Sequence, residues 1–123
     1  MEALERLYQR YRRQVDFFVI YIREAHTLSP GESAQQEGEF RIRAPSSLLE
    51  RQQVAQTCLR RLNLTLPALM DGMGNELERA YAAHPSRYYV VGVGGQVVYQ
   101  SAPGPWGLRP WELEQALQRL VGE

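Results

Sequence analysis

The chain predicts an α/β fold with a mixed sheet and flanking helices, and three observations carry that prediction. Phe17-Phe18-Val19-Ile20-Tyr21-Ile22 is an unbroken apolar run rich in aromatic and β-branched residues. That is the pattern of a strand buried on both faces at the centre of a sheet. Helical periodicity brackets it, over about residues 2–14 and 47–62. Finally, Tyr88–Val93 and Gln96–Gln100 flank Gly94-Gly95, two strand patterns around a tight-turn dipeptide.

Taken in order, Leu4, Leu7, Tyr8, Tyr11 and Val15 recur at helical spacing and give the first helix its apolar stripe. The strand 16–22 follows, then an irregular span from Thr27 to Gly38, then Phe40 and Ile42 as a short edge strand. Pro45-Ser46-Ser47 introduces the second helix, where Ser47 and Glu50 fit the capping-box spacing. Its buried stripe is predicted as Leu48, Leu49, Val54, Cys58, Leu59 and Leu62. A strand over 66–70 ends at Asp71, and a short helix over 76–83 leads to His84-Pro85. After the hairpin, residues 102–107 form a rigid Pro/Gly turn with Trp106 as its packing anchor. Pro110 then opens a terminal helix over 110–121 whose apolar face is Trp111, Leu113, Ala116, Leu117 and Leu120. Strand 16–22 should be central, between strands 66–70 and 88–93. A proline before a strand, a hairpin and a last helix make the carboxyl part of a thioredoxin-like fold.

Composition narrows the function classes. At 123 residues this is one domain, and a formal net charge of zero favours neither nucleic acid nor an anionic membrane surface. All 14 basic residues are arginine, a skew that reflects genome composition more than chemistry. One cysteine excludes an internal disulfide. The apolar runs are too short to cross a bilayer, so these residues encode no anchor and a cytoplasmic location is the expectation.

Strands of α/β proteins place chemistry at their carboxyl ends. Strand 16–22 runs into Glu24 and His26, which share a side if the chain stays extended. His26 has the residue type to move a proton near neutral pH, and Glu24 to orient it; a hydrogen-bonded loop histidine and a solvated glutamate are the plainer alternatives. Asp71 stands at the end of the next strand, where it either serves the site or terminates the strand through a turn. Pro85 is the candidate for the cis-proline that thioredoxin-like folds place beside the nucleophile. Cys58, on a helix stripe, reads as an inert core residue, and His84 as a solvated loop residue. Two histidines and one distant cysteine make no metal site.

Three segments taken together resemble the iodothyronine deiodinase family: Asp16 through Glu24-Ala25-His26, Pro85-Ser86-Arg87-Tyr88-Tyr89-Val90-Val91, and Val98-Tyr99-Gln100 followed by Gly104-Pro105-Trp106-Gly107. The resemblance spans nearly the whole chain. It implies a thioredoxin-fold selenoprotein, or a cysteine-containing relative, with oxidoreductase and thyroxine 5′-deiodinase activity. Such proteins carry a selenocysteine or cysteine just before the helix that precedes the Glu-Ala-His strand. Here that helix begins at Met1, so the domain over 1–123 is expected to be N-terminally truncated, with its selenocysteine upstream and no other cofactor. This chain alone is expected to be inactive. The resemblance further implies Glu24 and His26 as acid/base support, and Arg87 as a clamp on a substrate carboxylate unless it is a plain surface residue. It also implies a thiol reductant, a small-molecule substrate and a homodimer. Glu24, His26, Pro85 and Arg87 should converge at one sheet end, next to the start of the first helix. The family's Asp-Gly-Trp turn is replaced by Thr27-Leu28-Ser29-Pro30-Gly31, and its second histidine falls near Pro45, which fits a broader redoxin relative. The alternative from another class is a non-catalytic thioredoxin-like interaction module.

Overall fold

A computed structural model describes residues 2–23, 35, 36, 39, 40 and 45–122. The element order is α1 (Glu2–Tyr11), β1 (Val19–Tyr21), β2 (Gln35–Gln36), β3 (Glu39–Phe40), α2 (Leu48–Arg61), β4 (Ala68–Met70), α3 (Glu76–Tyr81), β5 (Tyr89–Val91), β6 (Val97–Gln100) and α4 (Pro110–Val121). Helices and small sheets alternate, so the α/β class holds. Ile42, assigned to the edge strand, lies outside the described residues.

The hydrophobic core forms where α1 and α4 pack together over the hairpin. Leu7 and Tyr11 of α1, Val90 of β5, and Leu113, Ala116 and Leu117 of α4 make one buried cluster. Leu4, Val15, Phe17, Tyr88, Tyr99 and Leu120 pack around it. The helical stripe of α1 therefore points where its spacing says. In α4 Pro110 occupies the first turn, and Gly122 closes the helix in the left-handed conformation at φ 83°.

The sheet departs from the expectation. β1 pairs in parallel with β4, Val19 opposite Ala68 and Tyr21 opposite Met70. β5 pairs antiparallel with β6, and the two pairs are separate sheets among the described residues. Strand 88–93 does not flank β1, and β1 is not buried on both faces. Phe18 is 57% exposed and Ile20 38% exposed, while Phe17 packs on the core cluster. The continuous apolar run thus behaves as a one-sided strand with alternating burial. Periodicity could not show this, because both faces of the run are apolar.

Two further expectations are corrected by exposure. On α2 the inward face is centred on Arg51 and Ala55, one turn apart, and Leu48, Leu49 and Leu62 are exposed. The helix packs on β4 through that face. Trp106 is 90% exposed and is no packing anchor; Trp111 is exposed as well. The 102–107 turn is held by its backbone instead. A Cβ at Gly107 would lie 2.5 Å from the carbonyl oxygens of Ala102 and Pro103, so only glycine fits.

The local signals fare better. Ser47 caps α2, its hydroxyl accepting from the Glu50 N–H at 3.2 Å. The return leg of the capping box reaches one residue further back: Glu50 accepts from the Ser46 N–H at 2.6 Å and its hydroxyl at 2.7 Å. The hairpin turn runs from Gly92 to Gln96, closed by the Gly92 N–H on the Gln96 carbonyl at 2.8 Å, with Gly95 at φ 83°. Among the described residues no helix is long and apolar enough to cross a membrane.

Substituting Leu117→Ala, which hollows the α1–α4 cluster, should cost about 2–5 kcal/mol in urea unfolding. Trp106→Ala should change stability by less than about 0.5 kcal/mol. Equal losses at both positions would place the core elsewhere.

Candidate functional site

β1 and β4 end side by side because they run parallel in register, and their carboxyl ends deliver Arg23 and Asp71 to one edge. Polar residues gather there. Asp71 is 1% exposed and uses both carboxylate oxygens on α3: Oδ1 accepts from the Leu77 N–H and Oδ2 from the Glu78 N–H, each at 3.0 Å. Asn75, the N-cap residue by position, is left-handed at φ 57° and makes no side-chain cap. Asp71 therefore does the capping from the neighbouring strand. Burial pushes the Asp71 carboxyl up. The N–H groups of Glu78, Leu77 and Gly72, with the Arg51 charge, outweigh that and hold it below the usual carboxylate range.

Arg51, 5% exposed, reaches across from α2. Its Nη1 donates to the Gly72 carbonyl at 2.8 Å and, more weakly, to the Asp71 carbonyl at 3.4 Å. Its Nε is buried without a hydrogen-bond partner among the described residues. Glu78, 6% exposed, receives Arg23 in two-pronged fashion, Nε to Oε1 at 3.2 Å and Nη2 to Oε2 at 3.0 Å. The Nδ1 atom of His84 lies 3.7 Å from Glu78 Oε1. One carboxylate on α3 therefore faces both the end of β1 and the residue before Pro85.

The His84–Pro85 peptide is cis, as is Gly104–Pro105. Arg87, two residues on, is not a free clamp. Its Nε donates to the Ser101 carbonyl at 2.6 Å and its Nη1 to the Ala82 carbonyl at 3.3 Å, with the guanidinium 5.5 Å from the Tyr89 ring centroid. The Tyr89 hydroxyl bonds the Tyr81 carbonyl, and the two rings meet edge to face at 4.9 Å. Arg87 thus ties the proline segment to α3 and to buried Ser101.

Of the residues singled out from sequence, Glu24 and His26 lie outside the described residues. Asp71 stands at the carboxyl-end edge; Pro85 follows His84, which meets Glu78 of α3, and Arg87 reaches Ala82 at the end of that helix. The start of α1 is tied elsewhere. Glu5, in its first turn, accepts from the Thr65 N–H at 2.7 Å and hydroxyl at 2.6 Å, on the amino side of β4. Sequence reasoning missed Arg51, Glu78 and the contact of His84. Only the spacing of Asp71 to a following helix start hinted at the cap. Nothing in the pattern marks Glu78 as buried.

A carboxyl held low in the folded state adds stability above its unfolded value, near pH 4, and loses it as pH falls through the lower folded value. Asp71→Asn should cost about 1–2 kcal/mol at pH 7 and flatten the loss of stability below about pH 4. Urea melts from pH 7 down to 2 check this. Parallel curves for the two proteins would show that the Asp71 charge does not hold α3.

Comparison with known proteins finds relatives over nearly the whole length of the chain. A family model described as iodothyronine deiodinase matches residues 1–121. The thyroxine 5-deiodinase of Sus scrofa is 36% identical over 127 aligned positions, covering 97% of this chain and 38% of the relative. The Ovis aries and Homo sapiens proteins of that name are 35% and 36% identical over the same share of this chain. The chain spans under two fifths of the length of these relatives. With that match over residues 1–121 and relatives at 35–36% identity, the chain belongs to the iodothyronine deiodinase family.

Proposed function

We propose that this chain is the acid–base-bearing part of a thioredoxin-like, deiodinase-type oxidoreductase acting on a small organohalogen. The match over residues 1–121, which includes Glu24, His26, Asp71, Pro85 and Arg87, carries the reading. An iodinated aromatic of the thyroxine class is the substrate the relatives' names suggest.

The chemistry needs a soft nucleophile. A selenolate or thiolate takes iodine from the aryl carbon, forming a chalcogen–iodine bond as the carbon–iodine bond breaks, and the carbon gains a proton. Two thiols then restore the chalcogen, leaving one disulfide, iodide and protons. Glu24 and His26 handle the proton, with Arg87 and Asp71 shaping the substrate side of the edge. The nucleophile is supplied from residues preceding Met1. Cys58, the single thiol in the chain, is half-buried on α2 and seven residues from Arg51, about 10 Å along the helix axis. It is a poor candidate for that role. Asp71 contributes by holding the edge rather than by touching substrate, since both its oxygens are engaged by α3.

The purified 123-residue chain should release no iodide from an iodinated phenol with a dithiol reductant. General acid–base support is worth roughly 10²–10⁴-fold and cannot replace a covalent nucleophile. A longer chain with selenocysteine or cysteine before Met1 should turn over, and His26→Ala should slow it by about that factor. Turnover by the 123-residue chain that Cys58→Ser abolishes would overturn the assignment. No turnover by the longer chain would favour a binding module.

Self-association belongs to the same proposal. Phe18, Ile20 and Leu69 are exposed on the β1·β4 pair, and β1 has one strand partner among the described residues. Sedimentation should show concentration-dependent dimers. A monodisperse monomer that melts no lower than a longer chain would remove the dimer.

A further inference from the structure

The carboxylate of Glu78 is buried, yet an arginine and a histidine reach it from two different segments. Burying an ionised group is costly unless partners satisfy it, so those contacts are what make the position tenable. Arg23 engages both oxygens with its planar fork, which fixes direction as well as distance. The Arg23 side chain is 52% exposed, and half-exposed pairs add little to stability. What the pair supplies is geometry. The Glu78 backbone is itself anchored, its N–H held by Asp71 and hence by β4, whose end carbonyls Arg51 grips.

We infer that Glu78 is a positioning residue that sets the end of β1 against the His84–Pro85 turn. Arg23 stands two residues past the end of β1, so that strand end is held to α3 through one ion pair. On the other side, His84 Nδ1 is buried, has no hydrogen-bond partner among the described residues, and faces the same carboxylate at 3.7 Å. Glu78 thereby joins the two segments that the proposed reaction needs side by side. The assignment rests on the deiodinase reading for its purpose, though not for its contacts.

The test uses nitrogen-edited NMR of the intact chain, which is tractable because His26 and His84 are its only two histidines. In Glu78→Gln the Arg23 Nε–H signal should lose its protection from exchange, and the His84 imidazole should shift. In Arg23→Gln, a change at a half-exposed side chain, the His84 signals should shift in the same direction. Amides of α1 and α4 should stay in place in both variants, with melting temperatures within about 4 °C of the parent. Were Glu78 to hold the two segments independently, the His84 signals would stay unmoved in Arg23→Gln. Unchanged His84 signals in Arg23→Gln would overturn the positioning role, as would shifts seen only together with the core. An intact NMR response alongside a longer chain that releases no iodide would remove the enzymatic reading and keep the contacts of Glu78.

Discussion

Both oxygens of a buried aspartate, Asp71, are occupied by backbone N–H groups of a helix it does not belong to, and the edge of the molecule that matters is organised around that fact. α3 has six residues and an N-cap residue with no side-chain bond. A helix that short is marginal by itself. Strand β4 stabilises it by supplying the acceptors, and a negative charge at its start suits the helix dipole. With α3 fixed, Glu78 has a defined place, and with Glu78 placed, Arg23 and His84 have a common partner.

The apolar part of the structure is arranged so that this edge stays clear of it. The buried cluster lies among α1, α4 and the β5·β6 hairpin, filled by Leu7, Tyr11, Val90, Leu113, Ala116 and Leu117. The β1·β4 pair meets α2 instead, through a face that carries buried Arg51. A guanidinium can sit there because two backbone carbonyls at the end of β4 receive it. The inner face of α2 therefore acts as a polar brace on the strand end more than as a hydrophobic stripe.

For a reaction of the kind proposed, that division is useful. Proton handling and substrate orientation require side chains held in fixed geometry, which rigid strand ends and a braced helix provide. Arg87 illustrates the point. It bonds two carbonyls and lies over Tyr89, so its position is settled before any substrate arrives.

Much of the local structure was legible in the residues. Pro110 in the first turn of α4, Ser47 ahead of α2, and the glycines between β5 and β6 each carry their own steric or hydrogen-bonding instruction, which needs no distant partner. The family resemblance was legible too, because it lies in ordered short motifs. Tertiary structure alone decided the rest. The run at 17–22 is apolar on both sides, so its pattern could not say that Phe18 and Ile20 face outward. Likewise Arg51 and Glu78 look like surface charges on amphipathic helices. They are buried because the backbone carbonyls at the end of β4 receive Arg51 and the Arg23 guanidinium meets Glu78, and burial of a charge follows from partners far apart in the chain.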